Sequence, residues 1–164
     1  MNDERSLAVI ENALGQIDEA FDARSWHGTN LRGSLRGLSP KVAAWRPAPR
    51  RHNIWELAVH AAYWKYAVRR RLAGERRGSF TLAGSNWFPR PAAATGAALK
   101  ADLSLLVDEH RQLRGVIAGL TAADLRRRAP GSRTTTIGFL VRGIAAHDLY
   151  HAGQIQLLKR LCPY

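Results

Sequence analysis

The stretch IGFLVRGIAAHDLYHAGQIQLL, residues 137–158, decides the fold. Apolar and histidine side chains recur in it at intervals of three and four residues: Ile137, Leu140, Ile144, His147, His151, Ile155 and Leu158. This spacing places them along one face of an α-helix, and such a face needs partner helices to cover it. The stretch therefore predicts a long amphipathic helix in an all-helical protein.

Three earlier segments repeat the same periodicity. They run from Leu7 to Phe21, from Ile54 to about Leu72, and from Leu99 to Leu120. No segment shows convincing strand alternation, so the fold class is all-α and the architecture a four-helix bundle. The chain has 164 residues and no internal repeat, which predicts a single domain over residues 1–164.

Helix-start signals support these segments. Asn53 precedes the second segment and Glu56 follows three residues later, which predicts a capping box. Thr136 predicts a cap on the fourth helix, and Thr121 with Asp124 predicts a short extra turn. Ser39 followed by Pro40 predicts a short helix near Val42 to Trp45.

Long connections follow the first and second helices, at about residues 25–52 and 73–94. About 22 extended residues reach farther than the length of either neighbouring helix. The second and third helices can therefore be parallel, joined by a crossover, as well as antiparallel in a simple hairpin.

The net charge of +12 raises the alternative of a nucleic-acid-binding protein. The arginines are spread along the whole chain, however, and their densest runs fall at predicted helix ends, where cations complement the helix dipole. We therefore favour a solvated surface over nucleic-acid recognition.

Compartment and membrane association are constrained by simpler features. The charged start lacks the pattern of a signal peptide, and no apolar run approaches the ~20 residues of a membrane span. The single cysteine, Cys162, excludes an internal disulfide. These features predict a cytoplasmic protein.

Four of the six histidines lie on apolar helical faces that are predicted to face the core. His147 and His151 are four residues apart on one helical face, and His60 lies between Leu57 and Trp64 on the second helix. On spacing alone two explanations stay open: core histidines with hydrogen-bond partners, or ligands of one metal ion. His110 lies on the apolar face of the third helix; we favour a core histidine bonded to a neighbour over a fourth ligand or a partner of a ligand.

Glu56 and Gln154 are the two candidate catalytic residues. Glu56 lies one turn before His60 and can act as a general base or support a ligand, although capping alone explains its position. Gln154 lies three residues beyond His151 and can reach the same pocket. Asp148 points about 100° away from its neighbour His147 and is predicted to be solvated or to pair with a loop.

His27 and His52 fall in loops and carry no strong argument for a role in the site. The five tryptophans are most simply packing residues.

Residues 147–155, HDLYHAGQI, resemble the closing motif of the DinB/YfiT-like superfamily of metalloenzymes. Residues 54–60, IWELAVH, are similar to its earlier hallmark, while WHG at 26–28 and NWFP at 86–89 fit less specifically. The resemblance covers nearly the whole chain.

This resemblance implies an up-down-down-up bundle that holds one divalent metal ion per chain on His60, His147 and His151. The implied ion is Zn or Ni, with Mn or Fe as alternatives. Members of the superfamily are often homodimers, and some relatives use low-molecular-weight thiols in S-transfer or isomerisation.

Three histidine ligands leave coordination positions open, which is typical of a catalytic metal site. The sequence and the resemblance together predict an enzyme that activates a thiol or water for attack on a small electrophile, as an S-transferase or a hydrolase. The first alternative is a non-catalytic bundle that binds a metal or a small molecule. A basic nucleic-acid-binding protein is the less favoured one.

Overall fold

A computed structural model describes residues 2–78 and 80–164, and the regular structure of these residues is helical. Four helices are long: α1 (Asn2–Phe21), α4 (Ile54–Ala73), α5 (Gly96–Ala118) and α7 (Ile137–Leu161). Three are short: α2 (Leu31–Ser34), α3 (Pro40–Ala44) and α6 (Ala122–Arg126). The described residues form no strand beyond one isolated bridge between Arg128 and Thr136, which confirms the all-α prediction.

No helix within the described ranges combines the length and hydropathy that crossing a bilayer requires.

The long helices lie where the apolar periodicity predicted them, except that α1 begins earlier. The sequence predicted its start at Leu7, and the structure begins it at Asn2. The first turns carry mainly polar residues, so they show no apolar stripe. Ser6 anchors this end, because its hydroxyl accepts a hydrogen bond from the Ala122 amide at 3.0 Å.

The helix-start signals are confirmed, with one correction at α4. Asn53 caps α4 by accepting from the Glu56 amide at 2.7 Å, but the Glu56 carboxylate does not return a bond to the cap. It binds Arg46 instead, so the predicted capping box is only half present. The caps by Ser39, by Thr121 with Asp124, and by Thr136 form as predicted. α3 begins slightly earlier than predicted, at Pro40.

Two groups of buried side chains join α4 to α7. α4 contacts α5 and α7, and α1 contacts the same two helices. One group lies toward the C-terminal end of α4 and includes Ile17, Val68, Leu113, Ile117 and Ile144. The other lies toward the N-terminal end of α4 and includes Phe21, Leu57, Ala61, Leu106 and Ile155. Each such aliphatic side chain contributes about 2–5 kcal/mol relative to alanine, which holds α4 and α7 firmly against each other.

A buried ion pair joins α4 to α7. Lys65 is fully buried, and its ammonium donates to Asp148, which is 1% exposed. Burial raises the pKa of Asp148 to about 6, while the charge and hydrogen bond of Lys65 oppose the rise. The prediction of a solvated Asp148 is wrong because α7 packs against α1 as well as α4. The side of the helix next to the histidine face is therefore interior too.

His110 is a core histidine bonded to a neighbour, as favoured from the sequence. Its Nδ1 lies 3.3 Å from the Lys65 ammonium, and its ring stacks on Phe21 with centroids 3.8 Å apart. Burial, with a smaller effect of the Lys65 charge, lowers the pKa of His110 to about 3. The imidazole is therefore a neutral acceptor for Lys65, and it lies outside the group formed by His60, His147 and His151.

Candidate metal centre

Three histidine rings converge between α4 and α7. α4 supplies His60, and successive turns of α7 supply His147 and His151. The Nε2 atom of His147 lies 3.2 Å from Nε2 of His60 and 3.1 Å from Nε2 of His151. One ring nitrogen from each of the three lies within 4.8 Å of the others, so the group has the compactness of a metal site. His60 and His151 are buried, whereas His147 is partly exposed.

The outward-facing nitrogens set the protonation of two rings. His60 Nδ1 lies 2.8 Å from the backbone oxygen of Asn86, and His151 Nδ1 lies 2.6 Å from Oε1 of Gln154. A carbonyl oxygen only accepts, so each Nδ1 carries the hydrogen and each Nε2 presents a lone pair. A single hydrogen on His147 Nε2 satisfies one of these two lone pairs and leaves the other unpaired. A cation between the rings satisfies all three nitrogens.

The surroundings keep the rings neutral, which is the form that binds metal. Burial, reinforced by the neighbouring histidines, lowers the pKa of His60 to about 4 and that of His147 to about 3. Burial also lowers the pKa of His151, while the hydrogen bond that His151 donates to Gln154 opposes this effect. Protons therefore compete weakly for these nitrogens at neutral pH.

The spacing of the nitrogens fits a first-row divalent ion. Two nitrogen ligands at zinc-like bond lengths in tetrahedral geometry lie about 3.3–3.4 Å apart. The observed separations of 3.1 and 3.2 Å differ from this by only a few tenths of an ångström. Three imidazole nitrogens suit Zn, Ni, Cu or Fe better than Mg or Ca, which prefer oxygen ligands.

The family model described as the DinB superfamily matches residues 24–155. The chain belongs to the DinB superfamily. The matched segment contains all three converging histidines and the loop residue Asn86, and it begins after the end of α1. Comparisons with curated proteins and with solved structures give no significant match.

In this DinB-superfamily chain the NWFP loop, residues 86–89, closes one side of the histidine group. The Trp87 ring stacks on His60 at 3.8 Å and on His52 at 3.6 Å, so it lies between the two imidazoles. Trp64 donates its indole N–H to the Asn86 side chain at 3.0 Å. Asn86 has φ 64°, a left-handed conformation that asparagine tolerates better than most residues, and its carbonyl is turned toward His60.

The structure gives His52 and Asn86 positions that the sequence argument missed. His52 was predicted to have no strong case, yet it stacks on Trp87, and its Nδ1 lies 3.0 Å from Glu56 Oε2. The four-residue spacing of His52 and Glu56 was the available signal. Asn86 contributes a backbone carbonyl, for which a side-chain pattern carries no signal. His27, by contrast, is exposed in its loop.

The two candidate catalytic residues are placed differently. Gln154 contacts His151 directly, as its spacing suggested. Glu56 is buried and binds Arg46 Nη1 at 2.8 Å, His52 at 3.0 Å and the Arg90 amide at 3.3 Å. Burial raises the pKa of Glu56, but these hydrogen bonds outweigh burial and lower it overall. The carboxylate is therefore ionised, and its contact with His52 connects it to the histidine group through the stack on Trp87.

Proposed function

We propose that the chain binds one divalent metal ion, Zn or Ni, on His60, His147 and His151. We propose further that it uses this ion to activate a thiol or water for attack on a small electrophile, in an S-transfer or a hydrolysis. The proposal rests on one observation: Asn86 and Gln154 fix the rings of His60 and His151 so that the Nε2 lone pairs of both rings face His147.

A divalent ion held by three neutral nitrogens keeps its full positive charge and lowers the pKa of a thiol or water bound to it. The chain's own residues provide the rest of the site. Asn86 and Gln154 orient two of the rings, and Trp87 shields His60 from water. The partly exposed His147 leaves an approach for a small molecule. This division between a shielded and an open side suits a site that admits one substrate at a time.

A non-catalytic metal-binding or small-molecule-binding protein is the second candidate. Its support is the state of Glu56, whose carboxylate is engaged by Arg46, His52 and the Arg90 amide. A general base must be free to take a proton from the nucleophile. The two candidates therefore differ in whether turnover accompanies binding.

The test begins with mass-spectrometric metal analysis of protein purified without a nickel column. We expect about one ion per chain, and loss of that ion in His60→Ala, His147→Ala and His151→Ala. His27→Ala, which alters an exposed loop histidine, is the matched control and keeps the metal. No uptake of Zn, Ni, Mn or Fe on reconstitution would refute the metal site.

The second step screens thiols and water against epoxide, halide and ester electrophiles. The enzyme proposal requires turnover that chelators abolish, that added metal restores and that rises with pH as the nucleophile deprotonates. Tight binding of one compound by metal-loaded protein, without turnover of any, would favour the binding protein and refute the enzyme.

We also propose the up-down-down-up helix order. Trp55 contacts Asp102 and Lys65 contacts His110, so positions along α4 and α5 advance together, as in parallel helices. Val68 and Ile144 share one buried group, whereas Leu57 and Ile155 share the other, which is the pattern of antiparallel α4 and α7.

We further propose that residues 1–164 form one domain of a cytoplasmic homodimer. Support for dimerisation comes from exposed apolar side chains on α7, Tyr150, Leu157 and Leu161, because a contiguous exposed apolar face is a common feature of protein interfaces. Sedimentation at micromolar concentration tests this, and a monomer would refute it.

A further inference from the structure

An apolar cavity of about 150 Å³ lies between α4 and α7, next to the histidine group. Trp64 and Val68 of α4 face Phe139, Leu140 and Ile144 of α7 across it, and His147 is also part of its lining. Val68, Leu140 and Ile144 are buried members of the core, so this side of the cavity is a firm floor. The cavity therefore has a fixed depth and no charged wall.

Gly143 leaves the α7 side of the cavity open. Phe139, Gly143 and His147 are spaced at four-residue intervals, so they follow one line along α7. A Cβ built on Gly143 meets no atom within 4 Å, so packing does not require glycine there. At Gly138, in contrast, a Cβ would lie 2.9 Å from the Leu125 carbonyl. Glycine weakens the interior of a helix, and at position 143 its structural effect is the open space.

Two aromatic rings at the cavity are partly exposed to solvent. Phe139 is 61% exposed and Trp64 is 37% exposed, although both flank an apolar cavity. An open apolar site beside a few convergent polar groups is the common form of a small-molecule pocket. An apolar cavity of about 150 Å³ accommodates one benzene molecule.

We propose that this cavity, the Gly143 cavity, binds a compact apolar group of the substrate, an aryl or branched alkyl group of about six carbons. The substrate is then a small molecule with two parts, a polar reacting end at the three histidines and an apolar group along α7. The assignment of the polar end rests on the proposed function. The binding of the apolar group rests on the cavity alone.

The first experiment probes the cavity without metal. Toluene is added to metal-free protein, and the methyl NMR signals of Val68, Leu140 and Ile144 are followed. We expect saturable shifts in the wild type and in Gly115→Leu, a matched control on α5 where a Cβ also meets no atom within 4 Å. Gly143→Leu fills the cavity and removes the shifts. Gly143→Ala, which favours the helix, weakens toluene binding and serves if the leucine variant does not fold.

The second experiment links the cavity to the histidines. Affinities of phenylmethanethiol and ethanethiol are measured by calorimetry on zinc-loaded protein. We expect phenylmethanethiol to bind at least about tenfold more tightly than ethanethiol in the wild type and in Gly115→Leu. In Gly143→Leu we expect the two thiols to bind with nearly equal affinity.

The outcomes separate the two proposals. Protein that takes up no zinc but shows the toluene shifts would refute the metal site and support the cavity. Zinc-loaded protein that shows no toluene shift and no aryl preference would refute the cavity alone. An aryl preference that survives in Gly143→Leu would overturn the assignment to this cavity.

Discussion

The buried pair of Lys65 and Asp148 gives the sharpest prediction for stability. Replacing Asp148 with leucine leaves the Lys65 ammonium without its counter-ion in a fully buried position. The ammonium can escape this by losing its proton, which at pH 7 costs at most about 5 kcal/mol from an ordinary lysine pKa. Replacing Lys65 with methionine leaves Asp148, which escapes by gaining a proton at a cost of at most about 4 kcal/mol. Each single variant should therefore lose about 3–5 kcal/mol.

The double variant Lys65→Met/Asp148→Leu removes both charges and should lose less than either single variant. Buried ion pairs are often replaced by apolar side chains at little cost. If the two sites were independent, the double variant would instead lose about 6–10 kcal/mol, the sum of the single effects. The non-additivity measures the coupling between α4 and α7.

The two single variants should also respond to pH in opposite directions. In Lys65→Met the folded state holds a protonated Asp148 whose pKa lies above its unfolded value, so stability is lost as pH rises, by about 1.4 kcal/mol per unit above pH 4. In Asp148→Leu the folded state holds a lysine whose pKa lies below its unfolded value, so stability rises with pH at about the same rate.

Urea unfolding followed by circular dichroism at pH 5, 6, 7 and 8 measures these effects relative to wild type. Asp108→Asn is the control, because its ion pair with Arg111 is exposed and should be worth less than about 1 kcal/mol. Additive losses in the double variant, or parallel pH slopes in the two single variants, would refute the reasoning.

Three further predictions concern the histidine group. Gln154→Leu should weaken zinc binding about 10- to 100-fold in a chelator competition, because it removes the hydrogen bond that orients His151. An unchanged zinc affinity would contradict this orienting role. Gln156→Leu, on the same helix, is the control. The unfolding free energy of metal-free protein should fall as pH drops from about 6.5 towards 4, because His60 and His147 bind protons in the unfolded chain but stay neutral when buried. A urea midpoint that does not change over this range would contradict this expectation. Zinc at 100 times its dissociation constant should stabilise the fold by about 2.7 kcal/mol, seen as a higher Tm that EDTA reverses, and His151→Ala should show no such rise.

The sequence predicted that His60, His147 and His151 face the core because that signal is local, whereas their convergence on one ion was what the family resemblance implied. His147 and His151 share a helical face by their spacing, and His60 occupies a core-facing position of α4. Once two amphipathic helices pack by their apolar faces, residues on those faces meet. The same logic predicted the four long helices and placed their ends within a few residues, apart from the start of α1.

The features that the sequence did not predict depend on neighbours or on the backbone. Asp148 is buried because α7 has helices on two sides, which the periodicity of one helix does not reveal. Asn86 acts through its carbonyl, and the left-handed turn that aims it is formed by a loop without periodicity. His52 enters the site through a stack on Trp87, a contact between two loops.

The stack of His52, Trp87 and His60 makes the site optically readable. One face of the Trp87 indole touches the buried His60, and the other touches His52, whose side chain is 45% exposed. Indole fluorescence is sensitive to positive charge on a ring stacked against it, because the charge interacts with the π electrons. A cation held by His60 therefore acts on this chromophore from its buried face. The difference between wild-type and Trp87→Phe emission follows metal binding at the histidine group in a zinc titration, without an added dye.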